Sequence, residues 1–156
     1  MLVTETPKIK STADPLRKMS KSAGEKHNIS IFAEEARMRK QIKSAVTDTG
    51  DNTDGTMSAG VQNLFELLKA AENKQGYDTM MQAFNAGELQ YGVLKQEVAD
   101  TMVTLSQKFV ERKKEITSDK RAIKDQIKQS SHEIRKRAQQ TVKEVKELCG
   151  LSNVKF

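Results

Sequence analysis

The sequence predicts an all-α protein: a helical bundle with a long antiparallel helical hairpin, preceded by an irregular N-terminal loop segment. Three observations lead to this class. Both prolines, Pro7 and Pro15, lie near the N-terminus, so the strongest helix breaker is absent from the rest of the chain. Aromatic residues make up only 4% of the 156 residues, which argues against a β-sandwich or barrel. Apolar residues beyond position 30 recur at helical rather than alternating spacing.

The first part of the chain carries no regular period. Residues 4–30 mix Lys, Ser, Thr, Pro and Gly, so we expect extended chain followed by a loop. The first helix is predicted over residues 32–46, because Met38, Ile42 and Ala45 share helical spacing. The run 47–55 is rich in turn formers and ends that helix.

Two shorter helices follow. The first is predicted over 59–73 and the second over 77–86, with Gly87 as the residue that stops it. The apolar face of the first is formed by Val61, Leu64, Phe65 and Leu68.

Two long helices complete the prediction. The first covers 90–117, and Ser118 or Asp119 caps the second, which stops at Gly150. Because only a short turn joins them, we expect the two helices to pack antiparallel as a hairpin. The apolar stripe of the second comprises Ile123, Ile127, Ile134, Ala138, Val145 and Leu148.

The charge balance and the absence of long apolar runs narrow the class of protein. Lys and Arg number 27 against 21 acidic residues, and the net charge of +6 favours an anionic partner. No apolar run is long enough to cross a bilayer, and residues 1–3 lead into polar chain rather than into the apolar part of a secretion signal. The sequence therefore predicts a cytoplasmic protein.

The residues that bind metals are too few or wrongly spaced for a site. Cys149 is the single cysteine, and with only His27 and His132 it forms neither an internal disulfide nor a zinc-ligand set. We expect both histidines to be solvated. Three aspartates alternate as in a calcium loop, but no glutamate follows at the last position of that pattern, so we expect no metal site. They are Asp48, Asp51 and Asp54.

One short motif points to chemistry, and its residues are Lys18, Met19, Ser20, Lys21 and Ser22. Two lysines three residues apart in a loop flanked by Ser and Gly suit a polyphosphate. Each ammonium is a flexible point charge, and hydroxyls and free amides add hydrogen bonds. A short Lys/Ser run is also typical of a solvated linker. The pattern alone leaves both interpretations open.

These five residues resemble the KMSKS signature of class I aminoacyl-tRNA synthetases. The chain that follows resembles the C-terminal part of the bacterial tryptophanyl members of that family, and the likeness covers most of the sequence. The segments that carry it are 28–31 (NISI), 39–49 (RKQIKSAVTDT), 60–64 (GVQNL), 91–95 (YGVLK) and 109–112 (FVER).

The resemblance implies roles for the motif. Lys21 acts on the ATP phosphates during amino-acid activation and is the catalytic residue, while the ATP-binding loop consists of Lys18, Met19, Ser20, Lys21 and Ser22. It further implies ATP and Mg²⁺ as cofactors, tryptophan as substrate, tRNA(Trp) as partner and a homodimer for the complete enzyme. Residues 1–30 would be the remnant of the catalytic domain, and 31–156 the C-terminal helical domain that binds the anticodon.

The chain also lacks part of that family's pattern. A nucleotide-binding α/β half with a second, histidine-containing signature is missing, and neither His27 nor His132 has the glycine that must follow such a histidine. We therefore expect a C-terminal fragment that is inactive alone, because nothing in it holds an amino acid in line with the α-phosphate.

The basic residues of the last helix are candidates for contact with tRNA. That helix and its cap carry nine basic and five acidic residues, so a solvated face is the alternative interpretation. Tyr77 and Tyr91 either stack on anticodon bases or pack at helix junctions, and we favour packing. The tRNA candidates at the predicted hairpin tip are Arg112, Lys113, Lys120 and Arg121.

Three alternatives remain open at this stage. A tyrosyl-tRNA synthetase fragment shares the signature but fits the 45–49 and 91–92 segments less well. A stand-alone helical RNA-binding module would need no catalytic half. A helical scaffold would use its apolar faces for a protein partner and its charge only for solubility.

Overall fold

The computed structural model describes residues 8–47 and 56–151. Within these ranges the all-α prediction is confirmed: no strand is formed, and one isolated antiparallel bridge joins Lys10 and Lys18. The helices are α1 (Glu35–Lys43), α2 (Ala59–Ala70), α3 (Lys74–Asn85), α4 (Tyr91–Ser118) and α5 (Lys120–Leu148).

Local residues explain where these helices begin and end. The side chains of Ser58, Asn73 and Asp119 accept amide hydrogen bonds from the first turns of α2, α3 and α5. Gly87 and Gly150 follow α3 and α5 with φ of +73° and +70°, the left-handed conformation that ends many helices. The sequence predicts both glycine stops, and of the two caps it leaves open, Ser118 and Asp119, the structure uses Asp119. It places the start of α3 three residues late because the capping role of Asn73 was overlooked.

The chain divides into two compact units, Met1–Val110 and Glu111–Phe156. The first unit contains the hydrophobic core, built from the apolar faces of three helices at the predicted helical spacing. Its fully or almost fully buried side chains are Met38 and Ile42 of α1, Val61, Leu64, Phe65, Leu67 and Leu68 of α2, and Leu94, Val98, Ala99, Met102 and Val103 of α4.

The end of α1 is shaped by tertiary contacts that the sequence does not reveal. The Val46 amide donates to the Thr12 carbonyl over 2.9 Å, so this stretch pairs with the N-terminal segment instead of extending the helix. A Cβ atom on Gly60 would lie 2.8 Å from the Thr47 Cα. Only glycine lets α2 pass this close to the neighbouring backbone.

The second unit differs from the first in burial. The structure buries no residue of α5, and Ile134 and Leu148 are 67% and 88% exposed. The apolar stripe that the sequence pattern predicts on this helix is therefore largely exposed in the structure. The spacing predicted the helix itself because it follows from local pattern, whereas burial requires a partner surface.

Candidate functional site

The signature motif is residues 18–22, in the unit Met1–Val110. It begins in the second of two short antiparallel segments, 9–11 and 17–19. The Ser11 amide donates to the Arg17 carbonyl over 2.9 Å, and the Met19 amide donates to the Ile9 carbonyl over 3.0 Å. These two main-chain hydrogen bonds fix the base of the loop.

The loop itself is short and mostly exposed. Ser20 has an extended backbone, and the three residues Lys21–Ala23 form a single 3₁₀ turn. Gly24 follows with φ of +103°, a conformation that other residues rarely adopt. The hydroxyl oxygens of Ser20 and Ser22 lie 2.9 Å apart. The motif is therefore a turn rather than part of a long helix.

The two signature lysines, Lys18 and Lys21, are exposed, and neither has an ion pair within the ranges that the structure describes. Two acidic residues that are close to them in sequence are each paired with an arginine instead. The pairs are Asp14–Arg17 and Glu25–Arg37.

A cavity of about 490 Å³ opens beside the loop. Its volume lies within the range of small-molecule sites, roughly 300–1,000 Å³. Lys8, which the sequence reasoning did not single out, contributes a third basic side chain to its wall. The lining consists of Lys8, Ile9, Lys18, Met19, Ser20, Lys21, Asn28 and Ile29.

Helices α1 and α2 hold the loop from both sides. Upstream, the Asn63 carboxamide accepts from the Lys10 amide over 2.9 Å and donates to the Lys10 carbonyl over 3.1 Å. Downstream, the Gln41 carboxamide donates to the Asn28 carbonyl. The sequence pattern predicts no role for either residue, although a polar Asn63 within the apolar face of α2 is a signal from which such a role could be inferred.

His27 is not the solvated residue that the sequence suggests. It is half-buried, and its Nδ1 lies 2.9 Å from the Ser11 hydroxyl. That hydroxyl oxygen already accepts from the amides of Ala13 and Asp14, so its proton is free to bond the imidazole. His27 therefore ties the turn after the signature to the upstream segment. His132 is exposed, as expected.

The residues proposed for tRNA contact lie in the other unit, and all are exposed. Arg112 is paired with Glu115 over 2.8 Å. The Asp119 carboxylate accepts from the Arg121 amide over 3.0 Å, so the first turn of α5 does not offer its amides to a phosphate. Contact at this end would therefore depend on side chains, chiefly those of Lys120 and Arg121.

Most cations of α5 are unpaired. Lys143 pairs with Glu147 at 3.9 Å, and Lys146 has an interaction of its own. The other seven basic residues have no ion-pair partner in the described chain, which favours an anion-binding face over an internally neutralised one. They are Lys120, Arg121, Lys124, Lys128, Arg135, Lys136 and Arg137.

The two tyrosines, Tyr77 and Tyr91, have different environments in the structure. Tyr77 packs edge-on against Phe65 with ring centroids 5.4 Å apart, as predicted. Tyr91 is 41% exposed, so only part of its ring is packed.

The three aspartates of the calcium-like pattern, Asp48, Asp51 and Asp54, lie outside the described residues. None of the described helices is long and apolar enough to cross a membrane.

Known proteins with similar sequences share one activity in their names. A family profile described as tRNA synthetases class I (W and Y) matches residues 2–107. The tryptophan–tRNA ligase of Porphyromonas gingivalis is 28% identical over 135 residues, which cover 85% of this chain and 40% of that protein. The enzyme of the same name from Wolinella succinogenes is 30% identical over 139 residues, covering 88% and 42%. The chain thus spans about two fifths of these relatives.

Two solved structures have a similar fold. The tryptophanyl-tRNA synthetase of Mycoplasma pneumoniae shares the fold, with a TM-score of 0.75 and 21% identity over 95% of this chain and 45% of that one. The enzyme from Campylobacter jejuni gives a TM-score of 0.66 and 25% identity, covering 92% and 45%. These relatives do not favour the tyrosyl alternative. The chain therefore belongs to the W and Y family of class I tRNA synthetases, as the signature and the segments behind it suggest.

Proposed function

We propose that this chain supplies the ATP-binding KMSKS loop and the tRNA-binding helices of a tryptophan–tRNA ligase. That enzyme activates tryptophan with ATP and Mg²⁺ and transfers it to tRNA(Trp). The observation that carries the proposal is the pair of unpaired lysines, Lys18 and Lys21, in a loop anchored at both ends beside a cavity. Membership of the W and Y family of class I tRNA synthetases supports binding of ATP phosphates as the role of this loop.

The loop acts by electrostatic stabilisation. The Lys21 ammonium binds the phosphates of ATP, and its attraction increases as negative charge accumulates on the departing pyrophosphate. Lys18 adds a second positive charge, while the hydroxyls of Ser20 and Ser22 donate hydrogen bonds to phosphate oxygens. Met19 forms part of the cavity wall. Mg²⁺ bound to the triphosphate would supply further neutralisation of its negative charge.

The same proposal holds that the chain is inactive alone. Amino-acid activation requires the carboxylate of tryptophan to lie in line with the α-phosphate, and lysines on one loop cannot impose that geometry. Tryptophan-dependent exchange of pyrophosphate into ATP tests this directly. We expect no exchange by the 156-residue chain and robust exchange by the complete enzyme, which we also expect to be a homodimer. Exchange by the chain alone would contradict the proposal.

The helical part is proposed to bind tRNA through its unpaired cations. Affinity for tRNA(Trp) should then fall steeply as salt increases, because binding releases counterions from the phosphates. It should also exceed affinity for other tRNAs. A scaffold that binds a protein partner would show neither behaviour, and a general RNA-binding module would show the salt dependence without the preference.

A further inference from the structure

We propose that Asn63 is a positioning residue for the signature loop: its carboxamide fixes the Lys10 backbone, and through it the paired segments from which Lys18 and Lys21 extend. This inference rests on the proposed function of the loop. It assigns a role to a helix residue that touches neither signature lysine.

The paired segments need an external anchor. They are joined by one bridge, between Lys10 and Lys18, which places two like charges directly opposite each other. Two strands this short are marginally stable by themselves. The free edge of the Lys10 segment must therefore be held by another part of the molecule.

Asn63 supplies that anchor in the manner of a neighbouring strand. Its Oδ1 accepts from the Lys10 amide over 2.9 Å, and its Nδ2 donates to the carbonyls of Lys10 and Ser11 over 3.1 and 3.3 Å. The side chain is only 4% exposed, so these bonds are protected from water. Loss of the carboxamide would leave main-chain groups of Lys10, which is partly buried, and of Ser11, which is buried, without these partners.

The position of Asn63 in α2 makes the anchor rigid. Its neighbours Leu64 and Phe65 are 1% and 2% exposed and belong to the hydrophobic core. The carboxamide is therefore held by a packed helix. By fixing the Lys10 backbone, it also restrains the hydrogen bond between Ile9 and Met19 at the base of the loop.

Hydrogen exchange in the full 156-residue chain tests the proposal. Asn63→Ala should accelerate exchange about tenfold at the Lys10 amide, the loss expected for one protected hydrogen bond, and also accelerate it at the Ser11 and Met19 amides. Amides of the α4 core should not change. The dissociation constant for inorganic tripolyphosphate should rise several-fold. Asn63→Asp keeps the oxygen that accepts from the Lys10 amide but loses the NH₂ group that donates to the Lys10 carbonyl. The Lys10 amide should therefore be better protected than in Asn63→Ala but less than in the unmodified chain.

Asn73→Ala is the matched control, because Asn73 is also an anchoring asparagine of the same unit but contacts Glu97 and Thr101 instead of the loop. It should leave Met19 exchange and tripolyphosphate affinity unchanged. Acceleration confined to Lys10, or spread equally over the α4 core, would overturn the positioning role. If the unmodified chain fails to bind tripolyphosphate, the proposed function fails, and the Met19 exchange rate still decides the role of Asn63.

Discussion

Helices α2 and α5 follow the same kind of apolar spacing but have opposite environments. Seven of the twelve residues of α2 are buried, whereas none of the 29 residues of α5 is. Helical spacing therefore predicts that a helix forms, but not that its apolar face is covered. Helix α2 contributes to the core and bonds the Lys10 backbone through Asn63, whereas α5 carries seven basic residues that have no ion-pair partner in the described chain.

We expect the greatest change in the free energy of unfolding, and it should depend on which of the two helices carries a Leu→Ala substitution. Leu68 is fully buried and Leu148 is 88% exposed. Leu68→Ala should lower the free energy of unfolding by about 2–5 kcal/mol, because it leaves a cavity in the core. Leu148→Ala should change it by less than about 0.5 kcal/mol. Urea denaturation of both variants measures the difference, and equal losses would mean that the stripe of α5 is packed in solution.

The next effect concerns the loop that α2 anchors. Lys21→Ala in the complete enzyme should lower the rate of tryptophan activation by about a hundredfold or more, because a charge that stabilises the transition state is lost. In the isolated chain, the same change should leave tRNA affinity unaltered. Lys26→Ala, at an exposed position outside the cavity lining, is the control and should retain activity. Equal losses in the two assays would show that the loop has been assigned wrongly.

Much of the fold could be predicted because its determinants are local. Apolar spacing located all five described helices, and turn chemistry located Asp119, Gly87 and Gly150 at their ends. The end of α1 was misplaced because the Val46 amide bonds to Thr12, a contact between distant parts of the chain. Local propensity contains no information about such a partner.

The candidate site was predictable only in part, because some of its contacts join residues that are distant in sequence. The motif points to Lys18 and Lys21 because it lies within five adjacent residues, and their role in phosphate binding stays a prediction. The anchors Asn63 and Gln41 are far from the loop in sequence and were missed, and His27 was wrongly expected to be solvated. The division between residues 1–30 and 31–156 remains a prediction about domain order in the family.

A smaller effect is expected when charge is removed from α5. The double variant Lys120→Gln with Arg121→Gln should flatten the dependence of log affinity for tRNA on log salt by about 1–2 units, since each lost phosphate contact removes slightly less than one unit. Lys143→Gln is the control, because Lys143 already pairs with Glu147. Filter-binding titrations at several salt concentrations measure the slopes. An unchanged slope in the double variant would place the tRNA elsewhere.

The smallest effect concerns the ion pair between Arg39 of α1 and Asp100 of α4. The hydrogen bond from Arg39, together with one from Gln96, lowers the pKa of Asp100 below its ordinary value of 3.8. The pair therefore stabilises the fold above that value, and its contribution is lost as pH falls through the lowered pKa. Because both side chains are substantially exposed, Asp100→Asn should lower the Tm only slightly at neutral pH.

Thermal unfolding across the acid range tests this expectation. The difference in Tm between the two proteins should shrink as the solution is acidified below pH 3.8. A difference that grows on acidification would show that the sign of the linkage is wrong.

All the proposals for the loop require that it binds phosphate through Lys18 and Lys21. Titration of the 156-residue chain with inorganic tripolyphosphate, followed by the chemical shifts of backbone amides, measures this binding. We expect shifts concentrated at Lys18, Lys21 and Gly24 that are lost in the Lys21→Ala variant. Shifts confined to α5, or an identical response in the variant, would contradict the claim.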